Sequence, residues 1–235
     1  MNRTQLESTF DQQAGTYDQQ WAKLAALRDG IHLLIASIFS RLPQDARMLC
    51  VGAGTGAEIH FFAERFPAWT FVAVEPSAGM VEAAKSRAQH NGYNKRCTFH
   101  TGYLESLPDS EPFDCATSLL VSQFLLDSRE RADFFRAVAA RLKPNGVLAT
   151  SDLASDTDSP HYPSLLEVWL RTLAASDLSP KRVQQMRAAY DCDVSILPAR
   201  SVEAIIASGG FQAPVQFFQA GLIHAWYSQR LPNDP

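Results

Sequence analysis

The stretch Met48-Leu-Cys-Val-Gly-Ala-Gly-Thr-Gly56 runs from an apolar segment into three glycines, and a helical pattern begins near Ala57. Glycines allow a ligand to approach the backbone closely, and the N-terminus of the following helix offers free N–H groups. The next apolar segment ends at Glu75, where a carboxylate can accept hydrogen bonds from both hydroxyls of a ribose. The stretch therefore predicts a strand, a glycine loop and a helix that bind a ligand containing a nucleoside.

The same alternation of apolar runs and helical patterns continues along the chain. Ser77 and Asp127 are typical helix N-caps, and each precedes a segment with helical apolar spacing. Short apolar runs lie at residues 48–51, 71–74, 97–99, 115–119 and 147–150. Because strands that alternate with helices usually form a parallel sheet covered on both faces, the pattern predicts an α/β fold.

The flanking regions add three parts to this pattern. Residues 1–42 predict a helical cap, and residues 153–195 predict a helical insertion after the fifth strand, with helices near 164–175 and 180–190. A helix at 201–208 and two strand-like runs at 215–218 and 222–227 predict a closing antiparallel hairpin. We therefore expect one domain over residues 1–235, with a Rossmann-like, seven-stranded, mostly parallel sheet.

Composition limits the function classes. The chain has 235 residues, 46% of them hydrophobic, and its 21 Lys and Arg against 25 Asp and Glu give a net charge of −4. This balance disfavours a nucleic acid partner, and no apolar run approaches the roughly 20 residues of a membrane helix. The start of the chain lacks the pattern of a secretory signal. The cysteines at 50, 97, 115 and 192 form no close cluster, which predicts a cytoplasmic protein without a metal site.

Five motifs occur in an order that identifies a family. Phe10-Asp-Gln-Gln-Ala-Gly-Thr-Tyr-Asp18 resembles an F-D-x-x-A-x-x-Y-D opening, and residues 49–56 resemble L-D-x-G-x-G-T-G. Val74-Glu-Pro-Ser-Ala-Gly-Met80, Phe113-Asp114 and Leu142-Lys-Pro-Asn-Gly146 follow in order. Over almost its whole length the chain thus resembles the class I S-adenosylmethionine-dependent methyltransferases. A nicotinamide-dependent dehydrogenase would explain the glycines and Glu75, but neither the opening nor the terminal hairpin.

The resemblance implies S-adenosyl-L-methionine as cofactor and an opening segment that folds over it. The implied cofactor-binding residues are Tyr17, Gly52, Ala53, Gly54, Gly56, Glu75, Pro76, Met80, Tyr103, Leu104, Leu119 and Gln123. The chain departs from the family pattern at Cys50 and Tyr103, which replace aspartates, and at Leu119, which replaces asparagine. We expect backbone groups at Ala53, Leu104 and Leu119 to compensate, Tyr103 to stack on the adenine, and Gln123 to face the transferable methyl group.

The implied reaction is methyl transfer to a small-molecule acceptor. Because the donor is already activated, the protein has to orient the reactants and exclude water, and it needs no catalytic triad or metal. The catalytic residues are unknown; for an oxygen acceptor, His161, Asp152 and Tyr17 are candidate bases. For His161, a surface position is the favoured interpretation.

The predicted insertion has an apolar helix face that has to be buried against another surface. This face is formed by Leu165, Leu166, Trp169, Leu170 and Leu173. It predicts a role in the acceptor pocket or in a homodimer contact, with burial inside one chain as the alternative.

Two other functions stay open. Residues 121–125, the insertion and residues 217–226 are similar to the carboxy-S-adenosylmethionine synthases, which act in transfer RNA wobble modification. A carboxylated cofactor would need a cation, for which Arg182 and Arg187 are the candidates. The other function is that of a cofactor-binding protein without catalysis.

Overall fold

The computed structural model describes residues 2–174 and 179–232, in which seven strands form one sheet in the order β3-β2-β1-β4-β5-β7-β6. β7 is antiparallel to its neighbours β5 and β6, and the other pairs are parallel. The strands are β1 Arg47–Val51, β2 Thr70–Glu75, β3 Cys97–Thr101, β4 Phe113–Leu119, β5 Leu142–Leu153, β6 Val215–Ala220 and β7 Ile223–Gln229. The predicted Rossmann-like α/β fold is confirmed.

Helices cover both faces of this sheet. They are α1 Arg3–Gln13, α2 Tyr17–Trp21, α3 Ala25–Phe39, α4 Ala57–Arg65, α5 Ala78–His90, α6 Ser128–Arg141, α7 Tyr162–Ala174, α8 Pro180–Cys192 and α9 Ala199–Ser208. One apolar core lies between the sheet and α3, α4 and α7, and a second lies between the sheet and α6 and α9. Ser77 and Asp127 cap α5 and α6 as expected, since their side chains accept hydrogen bonds from first-turn N–H groups.

The strand order reverses between β1 and β4, which neighbour each other at the centre of the sheet. Cys50 on β1 lies opposite Ala73 on β2 and Thr117 on β4. In open α/β sheets, ligands bind outside the carboxyl ends of the strands at such a reversal. The glycine loop that follows β1 begins at this edge.

The fifth strand is longer than the predicted run at residues 147–150. Leu142 already pairs with Phe113, and residues up to Leu153 pair with β7. Between Leu142 and Val147 the register shifts, and Asn145 adopts a positive φ of 63° that asparagine tolerates better than most residues. The apolar pattern missed these flanks because their pairing follows from tertiary contacts rather than from hydrophobicity.

The insertion packs against the main core. Leu166, Trp169, Leu170 and Leu173 of α7 are buried there, and Leu165 is half-buried. The Trp169 indole Nε1 donates a hydrogen bond to the Tyr190 hydroxyl at 2.9 Å, and its ring lies against Gly221 at the β6–β7 turn. The apolar face is therefore buried inside one chain, so it is not free to form a dimer contact.

In the described part of the chain, every helix is too short or too polar to cross a membrane.

Candidate cofactor and acceptor site

The loop after β1 turns sharply because three glycines adopt positive φ angles. The φ angles are 72° at Gly52, 52° at Gly54 and 73° at Gly56. A Cβ at Gly52 would lie 2.3 Å from Val121 Cγ2, whereas a Cβ at Gly54 would meet no atom within 4 Å. Gly52 thus permits close internal packing, and Gly54 faces open space at the carboxyl end of the sheet.

Glu75 links this loop to the start of α5. Its Oε2 accepts a hydrogen bond from Gly54 N at 3.0 Å, and its Oε1 accepts one from Ser77 N at 2.9 Å. The carboxyl group is buried, and burial raises its pKa although both backbone bonds favour the ionised form. Each carboxylate oxygen keeps a second lone pair, so the group can still accept two ligand hydroxyls.

The backbone groups of Ala53 are already paired. Its N–H donates to Val74 O at 3.2 Å, and its carbonyl accepts from Gly56 N at 2.9 Å. The turn itself therefore uses both groups, and the second lone pair of the Ala53 carbonyl is what remains for a ligand. Ala53 still contributes to the wall of the pocket described below.

The opening segment, which we define as the arm (residues 2–21), lies against the glycine loop and α5. Asp11 Oδ1 accepts hydrogen bonds from Ser77 Oγ at 2.6 Å and from Gly79 N at 2.9 Å. Asp18 accepts a bond from Thr55 Oγ1 at 2.7 Å and pairs with Arg87. The longest helix of the arm, α1, has no fully buried residue, so these polar contacts and the edge-to-face contact of Phe10 with Phe124 hold it in place.

A pocket of about 180 Å³ opens between the arm, the glycine loop and the ends of β4 and β5. Most of its wall is apolar, with a few polar groups between the apolar side chains. Its lining residues are Tyr17, Asp18, Trp21, Leu24, Leu27, Arg28, Ile31, His32, Gly52, Ala53, Gly54, Thr55, Ala57, Glu58, Leu119, Leu120, Ser151 and Ile223. Small-molecule sites usually measure about 300 to 1,000 Å³, so the arm has to move outward for a full cofactor and acceptor.

The structure places the predicted adenosine contacts beneath the arm rather than in this pocket. The Arg3 guanidinium lies 4.4 Å from the centre of the Tyr103 ring, and the next residue in the chain, Leu104, is buried. Pro76 follows Glu75 at the start of the α5 turn, and Met80 is buried in the first turn of that helix. Stacking of an adenine on the face of Tyr103 that Arg3 covers therefore requires the arm to move.

Asp152 is a structural residue rather than a base. Its Oδ2 lies 3.0 Å from Arg131 NH2, and both side chains are fully buried. Asp152 also accepts hydrogen bonds from Ser122 Oγ at 2.7 Å and from Gln123 N at 2.9 Å. This ion pair ties α6 to the end of β5, and Asp152 is absent from the pocket lining.

Gln123 and His161 do not line the pocket, unlike a residue that faces the methyl group or acts as a base there. The Gln123 Oε1 accepts a hydrogen bond from Leu153 N at 2.8 Å, which fixes the carboxamide to the backbone instead of directing it to a methyl donor. His161 is exposed immediately before α7 and is not among the pocket-lining residues. The structure thus agrees with the surface interpretation of His161.

Tyr17 is the one of the three candidate bases that lines the pocket. Burial, together with the carboxylates of Glu75 and Asp18, raises the pKa of Tyr17 to about 12. Its hydroxyl is protonated at neutral pH and therefore suits hydrogen-bond donation rather than proton abstraction.

The polar residues that line the pocket and that sequence reasoning did not select include His32 and Glu58. His32 on α3 packs against the rings of Phe61 and Phe62, and burial together with nearby Arg28 lowers its pKa to about 4. Glu58 on α4 is buried, and desolvation raises its pKa to about 7. The sequence feature that could have identified His32 and Glu58 is a titratable residue within an otherwise apolar helix face. By itself, this feature also fits a solvent-exposed position.

The two arginines proposed for a carboxylated cofactor lie on α8. Arg187 is exposed, and the side chain of Arg182 lies outside the described residues. Arg28 lines the pocket and pairs with Asp29 at 2.9 Å.

The family model and the curated relatives that match this chain are methyltransferases. Residues 48–146 match the family described as "Methyltransferase domain". Erythromycin 3''-O-methyltransferase from Saccharopolyspora erythraea is 36% identical over 107 residues, which is 45% of this chain and 34% of that protein. Malonyl-[acyl-carrier protein] O-methyltransferase from Priestia megaterium is 26% identical over 158 residues, 67% of this chain and 54% of that protein. The chain thus matches about a third to a half of the length of these relatives.

Solved structures share the fold at low sequence identity. An O-methyltransferase family 2 protein from Planctomyces limnophilus, in complex with apigenin, has a TM-score of 0.65 at 18% identity, covering 98% of this chain and 62% of that chain. Human N-acetylserotonin methyltransferase, in complex with S-adenosylmethionine, also has a TM-score of 0.65, at 15% identity, covering 96% of this chain and 56% of that chain.

Proposed function

We propose that this chain, whose residues 48–146 match a methyltransferase domain family, transfers a methyl group from S-adenosyl-L-methionine to a small-molecule acceptor. The observation that carries the proposal is the Glu75 carboxylate, which joins the glycine loop to α5. It leaves two oxygens able to accept ribose hydroxyls beside the open space at Gly54.

The residues present fit this cofactor. Glu75 would bind the ribose, and the open space at Gly54 would admit the part of the cofactor that lies along the loop. When bound, the cofactor would supply a methyl carbon on a cationic sulfur: the acceptor oxygen would form a bond to that carbon as the carbon–sulfur bond breaks, S-adenosylhomocysteine would leave as a neutral thioether, and the acceptor's proton would pass to solvent. The protein then has to hold the two reactants in register and keep water away from them.

The pocket supports both of these tasks. The pocket lining includes apolar side chains that exclude water, among them Trp21, Leu24, Leu27, Ile31 and Ile223. The protonated Tyr17 hydroxyl at the pocket wall would donate a hydrogen bond to an acceptor oxygen. We propose that the acceptor is an organic molecule with an apolar body and that an oxygen receives the methyl group, in line with the O-methyltransferases among the relatives.

Other partners and the compartment follow from composition and thiol chemistry. The net charge of −4 gives no general attraction for nucleic acid. Cys50, Cys97, Cys115 and Cys192 are free thiols, and no metal-binding group of side chains occurs among the described residues. We propose a cytoplasmic enzyme that acts on a small molecule, with a homodimer left open.

The test combines native mass spectrometry with a transfer assay. The purified chain should bind S-adenosylhomocysteine, and it should transfer an isotope-labelled methyl group to at least one member of a panel of apolar hydroxylated compounds. Binding without transfer across the panel would favour a cofactor-binding protein. Selective retention of the carboxylated cofactor would favour the carboxy-S-adenosylmethionine synthase alternative, and absence of any nucleoside binding would contradict the proposal.

We expect the arm to close on the cofactor as a lid over residues 10–18. Its polar contacts at Asp11 and Asp18 provide little burial, so bound cofactor should add a substantial part of its stability. Amide hydrogen exchange should show slower exchange for residues 10–20 when S-adenosylhomocysteine is present. Peptides from α9 on the far face serve as the internal control, and equal exchange of the arm with and without ligand would contradict this lid.

A further inference from the structure

Glu58 is a buried acid beside the glycine loop that the proposed reaction does not yet use. It is the second residue of α4, only 6% exposed, and it lines the pocket. Its Oε2 has no hydrogen-bond partner among the described residues. An unpaired buried carboxyl oxygen is costly, so its persistence at a pocket wall indicates a partner that arrives with a ligand.

The immediate neighbours of Glu58 supply no positive charge. The Thr117 hydroxyl and the Cys50 thiol lie near the carboxyl and lower its pKa, but burial outweighs them and raises the pKa to about 7. Burial also raises the pKa of Cys50 well above its ordinary value, so the thiol is neutral.

The other charged or titratable groups facing the pocket come from α2 and α3, and they are paired or neutral. Asp18 pairs with Arg87, and Arg28 pairs with Asp29. Tyr17, with a pKa of about 12, and His32, with a pKa of about 4, are both uncharged at neutral pH. On α4 itself, His60 faces Glu64 at 3.8 Å rather than Glu58.

We infer that Glu58 is the counter-ion for the cationic methionine end of the cofactor, where it binds either the ammonium or the sulfonium group. This inference rests on the proposed function. Burial keeps the neighbouring Cys50 thiol protonated, so Cys50 supplies no negative charge at this position. The next helix thus supplies, through Glu58, a carboxylate on the same side of the sheet as Cys50 and Thr117.

The sign of the pH dependence follows from the raised pKa. Because only the ionised carboxylate attracts a cation, affinity for a cationic ligand should increase as the pH rises through about 7. The free protein should show the opposite trend in stability. Its folded state retains the Glu58 proton to a higher pH than the unfolded chain does, so stability falls between the unfolded pKa of about 4.5 and the folded pKa of about 7.

The experiment measures binding of three nucleosides to the full chain by titration calorimetry at about pH 6 and about pH 8. S-Adenosylmethionine carries both cations, S-adenosylhomocysteine carries only the ammonium, and 5'-methylthioadenosine carries neither. A carboxyl with a pKa near 7 is about one-tenth ionised at the lower pH and about nine-tenths ionised at the higher pH. The wild-type preference for the cationic ligand over methylthioadenosine should therefore rise by up to about tenfold.

Glu58→Gln keeps the shape of the protonated side chain and removes the charge. It should abolish most of this rise and leave the affinity for methylthioadenosine nearly unchanged. Titration of the ligand itself is common to both proteins, so the difference between them reports on Glu58. Glu64→Gln on the exposed face of the same helix is the matched control and should behave as wild type.

The outcomes separate the inference from the proposed function. Loss of preference for S-adenosylmethionine over S-adenosylhomocysteine assigns the sulfonium as the partner, and equal weakening of both assigns the ammonium. Equal weakening of all three nucleosides, or a pH profile of Glu58→Gln identical to wild type, would overturn the inference while cofactor binding stands. If wild type binds none of the three, the proposed function fails as well.

Discussion

Replacing Arg131 with methionine should lower the free energy of unfolding by about 3 to 5 kcal/mol. The change leaves Asp152 fully buried without its cation, which lies 3.0 Å away in the intact pair. It also removes the donor to Ser122 Oγ at 2.8 Å and the weaker bond to Ser195 O at 3.3 Å. Urea unfolding followed by circular dichroism measures the loss.

Arg136→Met provides the control on the same helix. Arg136 pairs with Asp133 on the exposed side of α6, where an ion pair contributes only about 0 to 1 kcal/mol. The double variant Arg131→Met with Asp152→Leu should recover much of the loss, because it removes both buried charges together. A decrease in the free energy of unfolding below about 1 kcal/mol for Arg131→Met would show that the Arg131–Asp152 pair does not stabilise the contact between α6 and β5.

Replacing Glu75 with alanine should weaken binding of S-adenosylhomocysteine at least tenfold. Each hydrogen bond from a ribose hydroxyl to the carboxylate contributes about 1.5 to 3 kcal/mol, and the change removes two of them. It also releases Gly54 N and Ser77 N, so the loop and the start of α5 lose their common acceptor. Titration calorimetry on the folded variant measures the change in Kd.

Glu82→Ala is the control for this experiment. Glu82 lies on the exposed side of α5 and pairs with Lys85, so its loss should leave the Kd unchanged. Glu75→Gln keeps one acceptor oxygen and should fall between wild type and Glu75→Ala. Unchanged affinity in a folded Glu75→Ala variant would contradict the ribose-binding role.

The sheet could be predicted from the sequence because its central strands follow simple local rules. Met48 to Val51 is an apolar run that ends at glycines, and the structure buries it between two parallel neighbours. Ser77 and Asp127 cap helices through short-range bonds that depend only on nearby residues. All the residues that determine such a strand or helix cap lie within one short segment of the sequence.

The candidate site was less predictable because its polar residues depend on partners far away in the chain. Asp152 lies near the carboxyl end of β5, a position typical of functional residues, but Arg131 and Ser122 make it structural. For Glu58 the sequence suggested a structural position and the structure shows a pocket residue, since an acid in the first turn of a helix is usually solvated. Only the packing of α4 against the sheet near Cys50 shows that Glu58 is buried at the pocket.

The contacts of the arm also bear on the rate of the whole catalytic cycle under the proposed function. Asp11 binds the first turn of α5 next to Glu75, and Arg3 covers Tyr103, so both flanks of the adenosine position lie beneath the arm. Spent cofactor can leave only after these contacts break. Product release would then depend on how often the arm opens, and it would limit the rate of turnover even when the methyl transfer step is fast.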